Sequence, residues 1–158
     1  EEASMLERIC DAVKQTNETA IVTYGDTITN IDFIDLMRHH TKSGSLATLV
    51  TAHIKSPFGI INYNIENGVI NGFEEKPVFN YYIGTFVLAK KAFSYADKEL
   101  LQIPDGGGLV AFFRKLIEIG KVSAYHYGGE QLTFNNPAEK QLAEARIGFY
   151  TLGDGNGK

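Results

Sequence analysis

Two short stretches carry side chains whose types and spacing could do chemistry: Gly25-Asp26, within IVTYGDTITNIDF, and Glu74-Glu75-Lys76-Pro77. In the first, an apolar, β-branched run ends in a carboxylate that leaves the end of what reads as a buried strand. Two readings stand. In one, Gly25 supplies an unusual backbone angle and Asp26 caps a turn through its side chain. In the other, Asp26 is a metal ligand and the glycine lets a ligand come close. Mg²⁺ takes one or two protein carboxylates and completes its shell with substrate phosphate oxygens and water, so a single acid at a strand end suits it. The second stretch, standing alone, reads as a solvated charge cluster after a strand, with Pro77 biasing Lys76 towards an extended backbone.

Other candidates read as structural. His39, His40, His53 and His126 show no metal-ligand spacing of the HExxH kind. No serine lies in a nucleophile-elbow sequence. Gly106-Gly107-Gly108 has no downstream Lys-Ser/Thr pair, which makes it a flexible loop rather than a phosphate cradle. Tyr81 and Tyr82 read as packing aromatics. A chain of 158 residues with 19 acids against 15 Lys plus Arg is mildly acidic, which argues against a nucleic-acid or anionic-membrane surface. One cysteine, Cys10, excludes a disulfide framework and a Cys-based zinc site. No apolar run approaches the span of a bilayer, so a cytoplasmic protein is expected.

The elements that must position these residues follow from periodicity. Met5, Leu6, Ile9, Ala12 and Val13 are spaced as a helix, stopped at Thr16-Asn17. Residues 20–22 begin a short buried strand. Asn30 is expected to cap a helix from Ile31 to about Lys42, ended by Gly44. Residues 46–54 make a strand, and 58–63 with 69–73 make a hairpin around Glu66-Asn67-Gly68. Residues 82–88 form a strand and 90–95 a short helix. Residues 103–108 are expected as a loop, 109–119 as an amphipathic helix and 122–125 as a last strand. A helix over 137–146 opens with Pro137 in its first turn. Helices alternating with strands, with a hairpin inserted midway, imply an α/β fold with a mixed, mostly parallel sheet flanked by helices. In such sheets ligands collect at the carboxyl ends of strands, where Gly25-Asp26 falls.

The ordered set TYGDTITNID, GSLATLVTA, Phe58-Gly59, EKP and YIGTFVL resembles the sugar-nucleotide pyrophosphorylases, the sugar-1-phosphate nucleotidyltransferases, with glucose-1-phosphate cytidylyltransferases nearest in pattern. The resemblance runs from about residue 3 to 146. It implies a nucleoside triphosphate and a sugar 1-phosphate as partners, Mg²⁺ as cofactor, and no nucleic acid or membrane. It assigns Asp26 to the metal, Gly59 and Gly84 to close approach of the sugar, Glu75 to sugar hydroxyls and Lys76 to the sugar phosphate. Glu74 stays open as the alternative sugar contact, since adjacent strand residues face opposite ways.

Against the family pattern, two features stand out. The resemblance places the chain in the carboxyl-terminal two-thirds of the catalytic domain, a partial domain over residues 1–146 followed by a flexible tail over 147–158. The family's first strand and its glycine-rich, arginine-containing nucleotide loop would precede it. A second metal-binding aspartate of the family falls to Asn135 or Thr133, depending on alignment. These departures keep a non-catalytic sugar-phosphate-binding module as the alternative. A sheet edge left free by the missing strand makes a homo-oligomer an expectation.

Overall fold

The computed structural model describes residues 3–16 and 19–147. Helix α1 (Met5–Lys14) leads into strand β1 (Thr19–Thr23) and short strand β2 (Thr27–Thr29), then helix α2 (Phe33–Ser43) and strand β3 (Ala47–Lys55). Strands β4 (Ile60–Tyr63) and β5 (Ile70–Glu74) form the hairpin, and the long β6 (Val78–Ala89) follows. A 3₁₀ turn (Lys90–Tyr95), α3 (Lys98–Gln102), α4 (Gly107–Glu118), β7 (Val122–His126), β8 (Gln131–Thr133) and α5 (Pro137–Arg146) complete the chain. The expected tail, apart from Ile147, lies outside the described residues, as does Asn17. Among the described residues no helix is long and apolar enough to cross a membrane.

The main sheet has the order β1-β6-β3-β7. It is mixed, as expected, but its pairings correct the expectation of a mostly parallel sheet. β6 runs antiparallel to both β1 and β3, and only β3 and β7 pair in parallel. Three of the four strands share one direction, yet two of the three ladders are antiparallel, because the inserted hairpin returns the chain beside β3 from the opposite end. β6 is buried on both faces, which is why YIGTFVL reads as a continuous apolar run. Phe86 and Leu88 enter one core with Leu6, Leu109, Phe112 and Leu116 from α1 and α4. Ile83 and Val87 enter the other, with Ile31 and Leu36, the latter from α2.

Local signals explain most boundaries and correct several. Ser4 caps α1 by accepting from the Glu7 N–H at 3.2 Å. Asp32, not Asn30, caps α2: its carboxylate accepts from the N–H groups of Ile34 and Asp35 at 2.9 and 3.0 Å. A carboxylate at the positive end of a helix is the stronger cap, and Asn30 is engaged elsewhere. Gly107 and Gly108 are the first turn of α4 rather than loop, because Gly108 packs where a Cβ would lie 2.5 Å from the Leu100 carbonyl. α5 begins at Pro137, as expected, and Asn136 caps it.

Under α2 a polar chain runs from buried His40 and Thr48 out to the surface at Ser43. His40 Nδ1 meets Thr48 Oγ1 at 2.7 Å, Thr48 meets Ser123 Oγ at 2.8 Å, Ser123 donates to Ser43 Oγ, and Ser43 donates to the His40 carbonyl. Each hydroxyl has one proton. With Ser43 and Ser123 committed, Thr48 must donate to Ser123, and His40 must donate to Thr48 from Nδ1. Burial, then the positive charges of His39 and Lys91, hold the His40 pKa below its usual 6.5. A depressed folded value makes protonation favour the unfolded chain. His40 therefore contributes stability that is present in full above 6.5 and is lost as the pH falls from there through the lower folded value. Urea unfolding from about pH 8 to about pH 5 should show falling stability, and His40→Gln should flatten that slope.

Candidate functional site

Strand β1 delivers Tyr24, Gly25 and Asp26 at its carboxyl end, and the local packing there is specific. The Tyr24 N–H donates to the Gly84 carbonyl at 2.9 Å. Gly84 has φ +81°, and a Cβ on it would lie 3.1 Å from the Tyr24 ring. Only glycine combines that backbone with that ring. Tyr24 also meets Tyr82 edge-on, ring centroids 6.0 Å apart, and burial pushes the Tyr82 hydroxyl above its usual range. Gly84, expected as a sugar-side glycine, is thus the seat of the residue that aims the Asp26 turn.

Gly25 has no positive φ, and a Cβ placed on it would meet nothing within 4 Å, so the backbone-angle reading of it is corrected. It leaves open space beside Asp26. Asp26 is half-buried, its Oδ1 accepts from Thr27 Oγ1 at 3.3 Å, and its carbonyl accepts from the Phe134 N–H at 3.0 Å.

That last bond belongs to a two-stranded antiparallel ribbon, β2 with β8, which the sequence reading did not contain. The ribbon pairs Thr27 with Thr133 and brings their hydroxyls to 3.4 Å. Thr133 therefore lies one hydroxyl away from the Asp26 carboxylate. Asn135 lies two residues on, with its N–H 2.7 Å and its amide nitrogen 3.4 Å from Glu139 Oε2. At its other end the ribbon is clasped by Tyr127, whose hydroxyl donates to the Glu130 carbonyl at 2.7 Å and contacts the Asn30 side chain.

The donor set around Asp26 is one carboxylate and two neutral hydroxyls. Among the described residues no group of three or more His, Cys, Asp or Glu could cage a metal. This fits a Mg²⁺ ion that draws most of its shell from phosphate and water, and does not fit an all-protein site.

A second group forms at the base of the hairpin. A Cβ on Gly59 would lie 3.0 Å from Phe73 Cζ and 3.2 Å from Glu75 Oε2. The antiparallel register, Ile60 with Glu74 and Ile61 with Phe73, puts Glu75 beside Gly59. Glu75 rather than Glu74 is thus the carboxylate at the glycine. Lys76 Nζ lies 4.0 Å from Glu75 Oε1, with both side chains exposed. Lys76 has φ +47°, which corrects the extended backbone expected before Pro77. The tight return into β6, pinned by the Ser56 N–H on the Pro77 carbonyl at 2.8 Å, imposes it.

No ion pair joins Asp26 to Lys76. Lys76 precedes β6 and Gly84 lies well inside it, so a stretch of about 25 Å at full extension separates Lys76 from the strand position that Tyr24 contacts. A site using both must be spanned by its ligands.

The sequence reading missed a third cluster. The parallel register of Thr51 with His126 puts His53 on the same face two residues on, and the two imidazoles stack at 4.0 Å. With Tyr81, Glu130 and Arg146 they line a groove of about 430 Å³. Only the β3–β7 register could have revealed this pair.

These contacts separate the two glycines experimentally. Gly84→Ala should cost about 1–2 kcal/mol from the left-handed conformation alone, before the contact with Tyr24 is counted. Gly25→Ala should leave the urea midpoint nearly unchanged.

Residues 2–126 match the nucleotidyl transferase family. Over 115 residues the chain is 32% identical to a Bacillus subtilis protein described as a probable glucose-1-phosphate cytidylyltransferase, covering 71% of this chain and 43% of that protein. Over 124 residues it is 28% identical to a glucose-1-phosphate adenylyltransferase of Fervidobacterium nodosum, covering 71% of this chain and 29% of the relative. The chain thus spans less than half the length of these curated relatives. Its fold matches that of a Bacillus anthracis protein assigned as a glucose-1-phosphate thymidylyltransferase and solved with a sucrose. The TM-score is 0.63 at 19% identity, over 99% of this chain and 65% of that one. With the match covering most of its length, and a mixed sheet that sets an acid at the end of β1, this chain belongs to the nucleotidyl transferase family.

Proposed function

We propose that the protein carrying this chain transfers a nucleotidyl group from a nucleoside triphosphate to a sugar 1-phosphate, forming a nucleoside diphosphate sugar and releasing pyrophosphate. The observation that carries this reading is the Asp26 turn, a half-buried carboxylate beside an open glycine in a chain of this family. A phosphate oxygen of the sugar attacks the α-phosphorus in line. The new P–O bond forms as the α–β bridging bond breaks, and pyrophosphate leaves with the electron pair. No protein nucleophile is needed. The protein must hold two anions together and offset their charge.

Asp26 would hold Mg²⁺, with Thr133 as a neutral neighbour and Asn135 the more remote alternative. Bound there, the ion would neutralise phosphate charge as a Lewis acid. Glu75 would accept hydrogen bonds from sugar hydroxyls, and Lys76 would supply a compact counter-charge to the sugar phosphate. Gly59 and Gly84 would permit close approach. The nucleotide-reading loop of the family has no counterpart among the described residues, so base selection is assigned to none of them.

One observation favours a second reading. Thr133, the ribbon neighbour of Asp26, bears no charge, which weakens any metal site and suits a non-catalytic sugar-phosphate-binding module.

The test is pyrophosphate release from CTP, UTP, GTP or dTTP with glucose 1-phosphate, using the protein that carries this chain. Asp26→Asn should lower kcat by about 10²–10³-fold, the scale of losing one well-placed electrostatic group. Calorimetry separates the readings. Nucleotide binding that requires Mg²⁺ and Asp26 supports the transferase, whereas sugar-phosphate binding indifferent to both supports the module.

A further inference from the structure

We propose that Phe73 is a sugar-ring platform beside Gly59, Glu75 and Lys76, the residues assigned above to the sugar 1-phosphate. The inference rests on the reading above and adds the residue that would select a sugar over other phosphates.

Strand alternation turns Glu74 away from the side that Phe73 takes, and Glu75, one residue past β5, comes to that side at Gly59. Both converge on one point. The position a Gly59 Cβ would take is 3.0 Å from Phe73 Cζ, 3.1 Å from Phe73 Cε2 and 3.2 Å from Glu75 Oε2. Any side chain at residue 59 would fill the space between phenyl ring and carboxylate. Phe73 is nevertheless 64% exposed, and it belongs to neither core cluster. Its cross-strand partner Ile61 is 49% exposed. A large aromatic left open beside a carboxylate and a glycine is a combination that burial does not require.

Pyranose chemistry does require it. One face of a pyranose presents C–H groups, which are drawn to the electron-rich face of an aromatic ring. Its edge presents vicinal hydroxyls, for which a carboxylate is a two-oxygen acceptor. Lys76 Nζ lies 4.0 Å from Glu75 Oε1. Residues 73, 75 and 76 therefore offer partners for the ring, for the hydroxyls and for the phosphate.

The chain contains no tryptophan, so Phe73→Trp installs a single reporter at the seat. Glucose 1-phosphate should shift or quench its emission, and inorganic phosphate should not. By calorimetry, Phe73→Ala should weaken glucose 1-phosphate binding about tenfold while leaving inorganic phosphate binding unchanged. Phe73→Leu should fall between. If Phe73→Ala binds glucose 1-phosphate as tightly as the unaltered chain, or loses both ligands equally, the platform is overturned while the transferase reading stands. If the unaltered chain binds no glucose 1-phosphate, both fall together. Circular dichroism melts of the variants should match the unaltered chain, because an exposed hairpin residue contributes little to the core.

Discussion

The contact between Tyr24 and Gly84 sets the geometry on which the rest depends. β6 lies between β1 and β3 and must satisfy both, yet its registers with the two do not run on continuously. It pairs with β1 from Thr85 to Ala89, and with β3 both over Phe86–Leu88 and over Val78–Tyr82, the register with β3 shifting between Leu49 and Thr51. The register shift with β3 is absorbed around Gly84, in a left-handed conformation that a side chain would strain. The Tyr24 ring occupies the space where that side chain would be. β1 therefore ends there, and the chain leaves the sheet as an open Gly-Asp turn. A residue expected to lie against the sugar also shapes the strand end that presents the acid.

From that turn the structure builds in two directions. The β2–β8 ribbon carries Thr133 back to Asp26, closed at one end by the Phe134 bond to the Asp26 carbonyl and at the other by the Tyr127 clasp. Both segments are three residues long and would not hold as isolated strands. They persist because their ends are tied by hydrogen bonds from outside the ladder. The second direction runs along β6 to the hairpin, where Gly59, Phe73, Glu75 and Lys76 gather on an arm beyond both cores. Large exposed apolar side chains concentrate on this arm, including Phe58, Ile65, Ile70 and Phe73. Such exposure is tolerable for a surface that meets ligand and unfavourable otherwise.

The two groups differ in electrostatic character. Asp26 is half-buried, with hydroxyl neighbours and no cationic partner in contact among the described residues. Glu75 and Lys76 are a loose, exposed pair at 4.0 Å whose mutual attraction water largely screens. Neither group is neutralised by the fold, so both retain charge for ligands. A nucleotide and a sugar phosphate are extended, multiply charged molecules, which suits charges set apart along the sheet better than a compact pocket would.

The sequence by itself determined most of the helices, the main strands and the family. α1, α4 and α5, the hairpin and the buried run of β6 all follow from periodicities and caps that act over a few residues. The order of Gly25-Asp26, Phe58-Gly59 and Glu75-Lys76-Pro77 carried the resemblance. Only the tertiary structure decided which carboxylate of the Glu74-Glu75 pair stands at Gly59, that Asp32 rather than Asn30 caps α2, and that Lys76 takes a left-handed backbone. It alone joined Thr27 to Thr133 and stacked His53 on His126. These are consequences of strand register and of returns forced by distant pairings, and register is chosen by burial on both faces of a sheet. Such choices couple residues about a hundred positions apart, and no local pattern of residue types records them.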